Sequence, residues 1–260
     1  MNAPIRFAFA GDRDIAVDVL RQLMSEGYAP LALLLRPRKR ASHGAELEAL
    51  CPHLDESERI RGSRFRSPEG LEKLRALDLD FIIGIHFPYI VPPEVLAIPK
   101  RGVLNLHPAY LPYNRGWHTP SWALLEETPI GATLHYMDEG VDSGDIVAQR
   151  RVEPLPNDTA DSLYRRVKRA EYQLFVDSWP RLVDGSAARQ AQDPNAGTSH
   201  KKEELLSDEK RKIELDAPTS AAELLRRLRA HTTSDPTEAL YFDADDGKRY
   251  RVRVEIEAVD

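Results

Sequence analysis

The sequence is nearly devoid of cysteine: Cys51 is the single one in 260 residues. No disulfide can form within the chain, and a reducing cytoplasm is the simpler compartment. Cys51 itself reads as a half-buried small hydrophobe at a helix end. No apolar run reaches the ~20 residues that a membrane span requires. The opening Met1-Asn2-Ala3-Pro4-Ile5-Arg6 lacks a signal-peptide core, because Arg6 to Ala10 is too short for one. A basic excess is missing too. The formal net charge is −6 and the pI about 5.8, which speaks against a polyphosphate strand as the main partner. There is no internal repeat and no low-complexity tract. With 42% hydrophobic and 30% charged residues, the composition is that of a soluble globular protein, and its length suits one large α/β domain or a main domain with a small appendage.

Short apolar runs alternate with helical patterns. Ile5 to Ala10 reads as a first strand, ended by Gly11-Asp12. Asp14 to Ser25 follows as a helix, with Ile15, Val19, Leu20 and Leu23 on one face. Leu31 to Leu35 is a second strand, and Arg36 to Ser42 a basic loop. Pro68 to Leu77 is helical; Phe81 to Ile85, Val103 to Leu106 and Ala132 to Met137 are strands. Strands apolar on both faces and separated by helices predict a mostly parallel, Rossmann-like sheet covered on two sides. Thr159 to Leu182 is predicted as one long helix, capped at Asn157-Asp158-Thr159, with Leu163, Val167, Tyr172 and Phe175 inward. This organises the chain as a catalytic domain over 1–185, a linker or ordered loop over 186–207, and a small C-terminal subdomain over 208–260. The last contains a helix, Ser220 to Ala230, and a hairpin, Leu240 to Asp260, turning at Asp246-Gly247.

The densest chemical signal lies between Val103 and Asp145. The strand Val103-Leu104-Asn105-Leu106-His107-Pro108 ends in a polar pair. Side chains alternate along a strand, so Asn105 and His107 share a face, and Pro108 holds His107 extended. The carboxyl end of a parallel strand is where open α/β sheets place their ligands. By itself the pair is also readable as a strand terminator and a satisfied core histidine. The second element, Met137-Asp138-Glu139-Gly140-Val141-Asp142-Ser143-Gly144-Asp145, packs four acidic side chains into a turn. It is readable as a solvated acidic loop, but it lacks the alternating ligands and terminal Glu of an EF-hand. His86, His107, His118 and His135 show no HExxH pattern and have no cysteine partners, so no catalytic metal is expected.

Asn, His and Asp together suit attack of an amine on a formyl or acyl carbon. The imidazole can take or relay the amine proton near pH 7, a carboxylate can orient it, and an amide can donate to the oxyanion. No serine or cysteine sits in a nucleophile elbow, which disfavours an acyl-enzyme.

Asn105-Leu106-His107-Pro108 through Gly116, followed by Gly131 through Ile146 with Asp142 placed 35 residues after His107, resembles the 10-formyltetrahydrofolate-dependent formyltransferases. The resemblance covers roughly Ile5 to Val183 well and the tail loosely. It implies Asn105, His107 and Asp142 as the catalytic set. It implies N10-formyltetrahydrofolate as co-substrate, with its pterin against Pro88, Tyr89, Ile90 and Val91 and the backbone of the loop from Asp138 through Gly140 to Asp142. Gly116-Trp117-His118-Thr119-Pro120-Ser121-Trp122 and Ser199-His200-Lys201-Lys202 look like the nucleotide-sugar N-formyltransferase branch, which serves O-antigen or cell-surface glycan synthesis. The resemblance then implies a GDP- or dTDP-linked amino sugar as partner, a homodimer, and no nucleic acid or membrane. Arg13, Arg115, Lys201 and Lys202 are candidate pyrophosphate contacts, and Trp117 a stacking surface; each is equally readable as a surface charge or a packing residue. Residues 208–260 hold 10 Lys/Arg and 13 Asp/Glu, a poor clamp for tRNA. Methionyl-tRNA formyltransferase, a formyltetrahydrofolate hydrolase and a folate-binding protein without turnover are the other readings.

Overall fold

The computed structural model describes residues 5–259. In chain order the elements are β1 (Phe7–Gly11), α1 (Asp14–Ser25), β2 (Ala32–Leu35), α2 (Gly44–Leu50), β3 (Arg59–Arg61), α3 (Pro68–Ala76), β4 (Phe81–Ile85), α4 (Pro93–Leu96) and β5 (Gly102–His107). There follow β6 (Arg115–Gly116), α5 (Thr119–Glu126), β7 (Ile130–Tyr136), β8 (Ile146–Val152), α6 (Ala160–Asp184), β9 (Ser199–His200), α7 (Asp208–Arg211), α8 (Ala221–His231), β10 (Leu240–Asp243) and β11 (Arg249–Val252).

Seven strands form one sheet in the order β3-β2-β1-β4-β5-β7-β8. The first five are parallel, as predicted for the apolar runs of β1, β2, β4 and β5; β3 carries two arginines and no such run, and β7 is antiparallel to β5. The sheet is therefore mixed at one side. Phe7 of β1 packs edge-on against Trp179 of α6, while Ala8, Ala10, Ile82 and Val103 point the other way, into a core with Phe65, Leu74 and Val95. The chain forms two compact units. One takes the chain up to His107, with Thr133–Gln149 and Glu171–Gln192; the other takes Pro108–Ala132, Arg150–Ala170 and the chain from Asp193 on.

The second unit packs Ala123 and Leu124 of α5 against Leu163, Val167 and Ala230. Its ribbon pairs β10 with β11 antiparallel, turning at Gly247 (φ 76°). The strands are short: the alternation at Val254 and Ile256 runs past the end of β11 at Val252. The expected cap of the long helix is present, since Thr159 and Ser162 exchange side chain–backbone hydrogen bonds at 2.9 and 3.3 Å. Cys51 follows α2 as expected but is fully buried rather than half-buried, and burial pushes its thiol up to about 11. A buried protonated thiol is a packing group and not a nucleophile.

Candidate active site

β5 enters the sheet between β4 and β7, so its carboxyl end lies at the centre of a buried rim. Asn105 and His107 lie on the face that Val103 also occupies, and both are buried. Gly84 lies opposite Asn105 on β4. A Cβ there would come within 3.1 Å of the Met137 side chain and 3.7 Å of Asn105 Oδ1, so only the smallest residue leaves this corner open.

The loop from β7 to β8 brings Asp142 to this corner. Its Oδ1 lies 3.3 Å from Asn105 Nδ2, and its Oδ2 3.5 Å from His107 Nε2. The structure thus gathers Asn105, His107 and Asp142. Asp142 reaches them with a left-handed backbone, φ 52°.

His135, across from Asn105 on antiparallel β7, completes the cluster. Its Nδ1 is 2.8 Å from the Tyr136 carbonyl oxygen, which can only accept, so Nδ1 carries the hydrogen. In that tautomer Nε2 is left to accept, and it lies 3.1 Å from Asn105 Nδ2. This fixes the Asn105 amide: its nitrogen faces His135 and Asp142. His107 and His135 stand edge to face, with centroids 6.3 Å apart.

Beside this cluster a cavity of about 260 Å³ opens. Leu96, Val103 and Met137 form its apolar wall, and Asp138, Gly144 and Arg189 its polar one. Of the expected folate residues, Asp138 lines it. Asp138 Oδ1 accepts from the Gly140 amide at 3.0 Å and from the Ser143 hydroxyl at 2.7 Å, which closes the turn. Tyr89, Ile90 and Val91 lie in the segment after β4. Tyr89 packs on Phe87 and Phe65, Val91 is buried, and Ile90 is 79% exposed. Val141 in the acidic loop is likewise exposed.

Arg115, Trp117 and Lys201 come together in the second unit. The Arg115 amide donates to Thr198 O and the Trp117 amide to His200 O, along the β6–β9 pair that places Lys201 next in the chain. Lys202 Nζ sits 5.1 Å above the Trp117 ring, and Trp117 is partly exposed. Arg13 is exposed at the start of α1, in the first unit.

Four polar residues escape a reading of the sequence. His135 was legible only as part of a motif, because its partner depends on an antiparallel register. Gln192 donates to the carbonyls of Asp142 and Gly144. His86 follows β4 with φ 50°, which turns its ring to α6, where Nε2 is 2.8 Å from the fully buried Glu171. Among the described residues no group of three His, Cys, Asp or Glu side chains could hold a metal, and no helix is long and apolar enough to cross a membrane.

Residues 6–178 match the family model described as formyl transferase, and residues 207–258 the one described as N-formyltransferase dimerization C-terminal domain. The chain is 30% identical over 197 residues to methionyl-tRNA formyltransferase of Geobacter sulfurreducens, covering 74% of this chain and 62% of that protein. It is 33% identical over 187 residues to the Bacillus thuringiensis enzyme of the same name, covering 70% and 59%. The chain thus spans about three fifths of the length of these curated relatives. Among solved structures, a sugar N-formyltransferase from a Shewanella species superposes with a TM-score of 0.82 at 20% identity, over 99% of this chain and 100% of that one. A 4-N formyltransferase from Francisella tularensis gives 0.82 at 21% identity, over 99% and 100%. An N-formyltransferase from Helicobacter canadensis, solved with folinic acid and dTDP-3-aminofucose, gives 0.69 at 20%, over 93% and 85%. At these identities the likeness is one of fold.

Proposed function

The chain belongs to the formyl transferase family, and from that premise we propose that it transfers a formyl group from N10-formyltetrahydrofolate to the amine of a nucleotide-linked amino deoxysugar. The observation that carries the acceptor class is the tail. Residues 207–258 match an N-formyltransferase dimerization domain, and this stretch is net acidic, which suits a sugar-nucleotide enzyme better than a tRNA clamp. The end-to-end correspondence of fold with sugar N-formyltransferases supports the same reading.

The chemistry follows from the cluster around β5. The acceptor amine attacks the formyl carbon, and the carbonyl electron pair moves onto oxygen. His107 Nε2 takes the proton the amine loses, and the Asp142 carboxylate, 3.5 Å away, stabilises the resulting imidazolium or passes the proton on. Asn105 meets the oxyanion through its NH2. Both of its hydrogens are engaged in the free enzyme, and the 3.3 Å bond to Asp142 is the longer and weaker, so that hydrogen is the one released to the new charge. Collapse returns the electrons to carbon, breaks the bond to N10, and sends the proton there. The products are a formamide and tetrahydrofolate.

We assign the pterin to the cavity beside Asp142. A flat heteroaromatic ring fits an apolar wall of Leu96, Val103 and Met137 faced by the polar turn residues Asp138, Ser143 and Gly144. Exposed Ile90, with Tyr89 and Val91, and Val141 offer apolar contact to the rest of the folate. Arg115, Trp117 and Lys201 are assigned to the acceptor, with Arg13 a further candidate cation. The tail makes a homodimer, and the product feeds O-antigen or cell-surface glycan synthesis. No metal takes part.

A second reading, methionyl-tRNA formylation, is favoured by one observation: the 30–33% identity to enzymes of that name. Release of tetrahydrofolate, followed by absorbance with and without amino-sugar nucleotides, separates the possibilities. Release that depends on the amino sugar is expected. Release without any amine would mean a hydrolase, release only when methionyl-tRNA is supplied the second reading, and no release with either acceptor a binding protein.

A further inference from the structure

Asp142 meets its neighbours through both its carboxylate and its backbone. The side-chain oxygens lie 3.3 Å from Asn105, 3.5 Å from His107 and 3.6 Å from His135. These distances are at or beyond the outer range for a good hydrogen bond. The main-chain oxygen of Asp142, by contrast, accepts from Gln192 Nε2 at 2.9 Å, and the same nitrogen donates to the Gly144 carbonyl at 2.8 Å.

Two carbonyls from residues 142 and 144 converge on one NH2 group only where the chain between them turns sharply. The left-handed φ of Asp142 makes that turn. A non-glycine residue keeps such a conformation when its surroundings hold it there. The two ends of the loop are tied elsewhere: the Tyr136 amide donates to Asp145 O at 2.8 Å and the Met137 amide to Val103 O at 2.7 Å. Gly144 has no freedom to retreat, since a Cβ on it would lie 2.0 Å from Tyr136 O. Gln192 is itself in register. Gln190 and Ile146 exchange backbone hydrogen bonds at 2.8 and 2.9 Å, which fixes the segment two residues before it.

We infer that Gln192 is a positioning residue for Asp142: its amide clamps the 142–144 turn and so aims the carboxylate at Asn105 and His107. This rests on the role proposed above for Asp142. Gln192 touches no reacting atom in that scheme. The chemistry demands a donor of this length. Asparagine is one methylene short, and glutamate would set an acceptor against two acceptors.

The test compares Gln192→Ala, Gln192→Asn and Gln192→Glu with wild type, with Asp142→Asn and with the double variant Asp142→Asn/Gln192→Ala. Readouts are kcat and KM for formyltetrahydrofolate, and hydrogen exchange of the 138–145 backbone in the free protein. Gln192→Ala is expected to lower kcat about tenfold to a hundredfold, the scale of two lost hydrogen bonds, with KM little changed and exchange of 138–145 accelerated. Gln192→Glu and Gln192→Asn should fail to restore kcat. The double variant should be no slower than Asp142→Asn, because a misplaced side chain that is already inert costs nothing further. Wild-type kcat with wild-type exchange in Gln192→Ala overturns the clamp. So does a double variant whose loss is the product of the single losses, or a rise in KM alone. If Asp142→Asn itself keeps wild-type turnover, the role of Asp142 falls, and the exchange readout still decides whether Gln192 holds the turn.

Discussion

The amide nitrogen of Asn105 lies 3.1 Å from Nε2 of His135, and that contact decides which way the Asn105 amide points. With its other nitrogen donating to the Tyr136 carbonyl, the Nδ1–H tautomer of His135 leaves Nε2 to accept. Replacing His135 with phenylalanine keeps a ring of similar size and removes the acceptor. The Asn105 amide then loses one of its two acceptors and is oriented only by the longer contact to Asp142. Turnover should fall roughly tenfold or more, the scale of one hydrogen bond at a transition state. Folate affinity should hold. Unchanged kcat in His135→Phe would show that Asn105 is oriented by something else.

Asp142→Asn should lower turnover by at least ~10²-fold, and His107→Ala or His107→Asn should abolish it, since a general base or its partner contributes roughly 10²–10⁴. The polar ends of both side chains face each other across the cluster and contribute little core area, so the stability cost should stay within ~1–2 kcal/mol. Kinetics and a denaturant melt on the same samples check both halves. An Asp142→Asn enzyme that lost folate affinity yet kept its turnover at saturation would make Asp142 a binding residue and remove it from the proton path.

Much of this site is legible in the sequence because it depends on short-range rules. Val103 to His107 is apolar except at two alternating positions, so strand parity alone places Asn105 and His107 on one face. What stays hidden depends on the fold closing on itself. Nothing local says that β7 runs antiparallel to β5, and without that register His135 has no partner. Ile146–Val152 is a strand with Gln149, Arg150 and Arg151 in it, half exposed, and so lacks the apolar run that marks β1, β4 and β5. Thr119–Leu124 is buried on every side, so α5 shows no polar face to give it a helical period. Helical periodicity points Tyr172 inward; it is only half-buried, and its neighbour Glu171 is the fully buried one, reached by His86 from the end of β4. Gln192 stands in a stretch rich in Ala, Gln and Asp, and only the return of that stretch over the 142–144 turn gives it a task.

The second unit carries an acid-sensitive group. His231 is buried at the end of α8 with Nδ1 3.2 Å from the Glu238 carbonyl, and burial pushes its imidazole down to about 4. His118 is lowered as well, again by burial. The unfolded chain takes a proton near 6.5 while the folded one waits until about 4. Stability is therefore complete above pH 6.5 and declines as pH falls toward 4, by about 3 kcal/mol from His231. His231→Gln should show a shallower loss over this window than wild type in melts from pH 7 to pH 4. Parallel curves would mean that His231 takes its proton at the same pH in the folded and the unfolded chain.

The ribbon of β10 and β11 stacks Phe242 on Tyr250, centroids 5.6 Å apart, and leaves Tyr250 42% exposed. A two-stranded ribbon is marginal unless it packs on something. With residues 207–258 matching a dimerization domain, sedimentation at micromolar concentration should return twice the mass of the 29.4 kDa chain. A monomer with its tail intact would rule the dimer out.

The most direct test is a contest between acceptors. The purified protein is given N10-formyltetrahydrofolate with a panel of GDP- and dTDP-linked 3-amino and 4-amino deoxysugars, and in parallel with methionyl-tRNA, and each product is weighed by mass spectrometry. The expected result is the mass of one formyl group gained by at least one amino-sugar nucleotide, lost in His107→Ala, with methionyl-tRNA unchanged. Formylation of methionyl-tRNA with every amino sugar left untouched would contradict it.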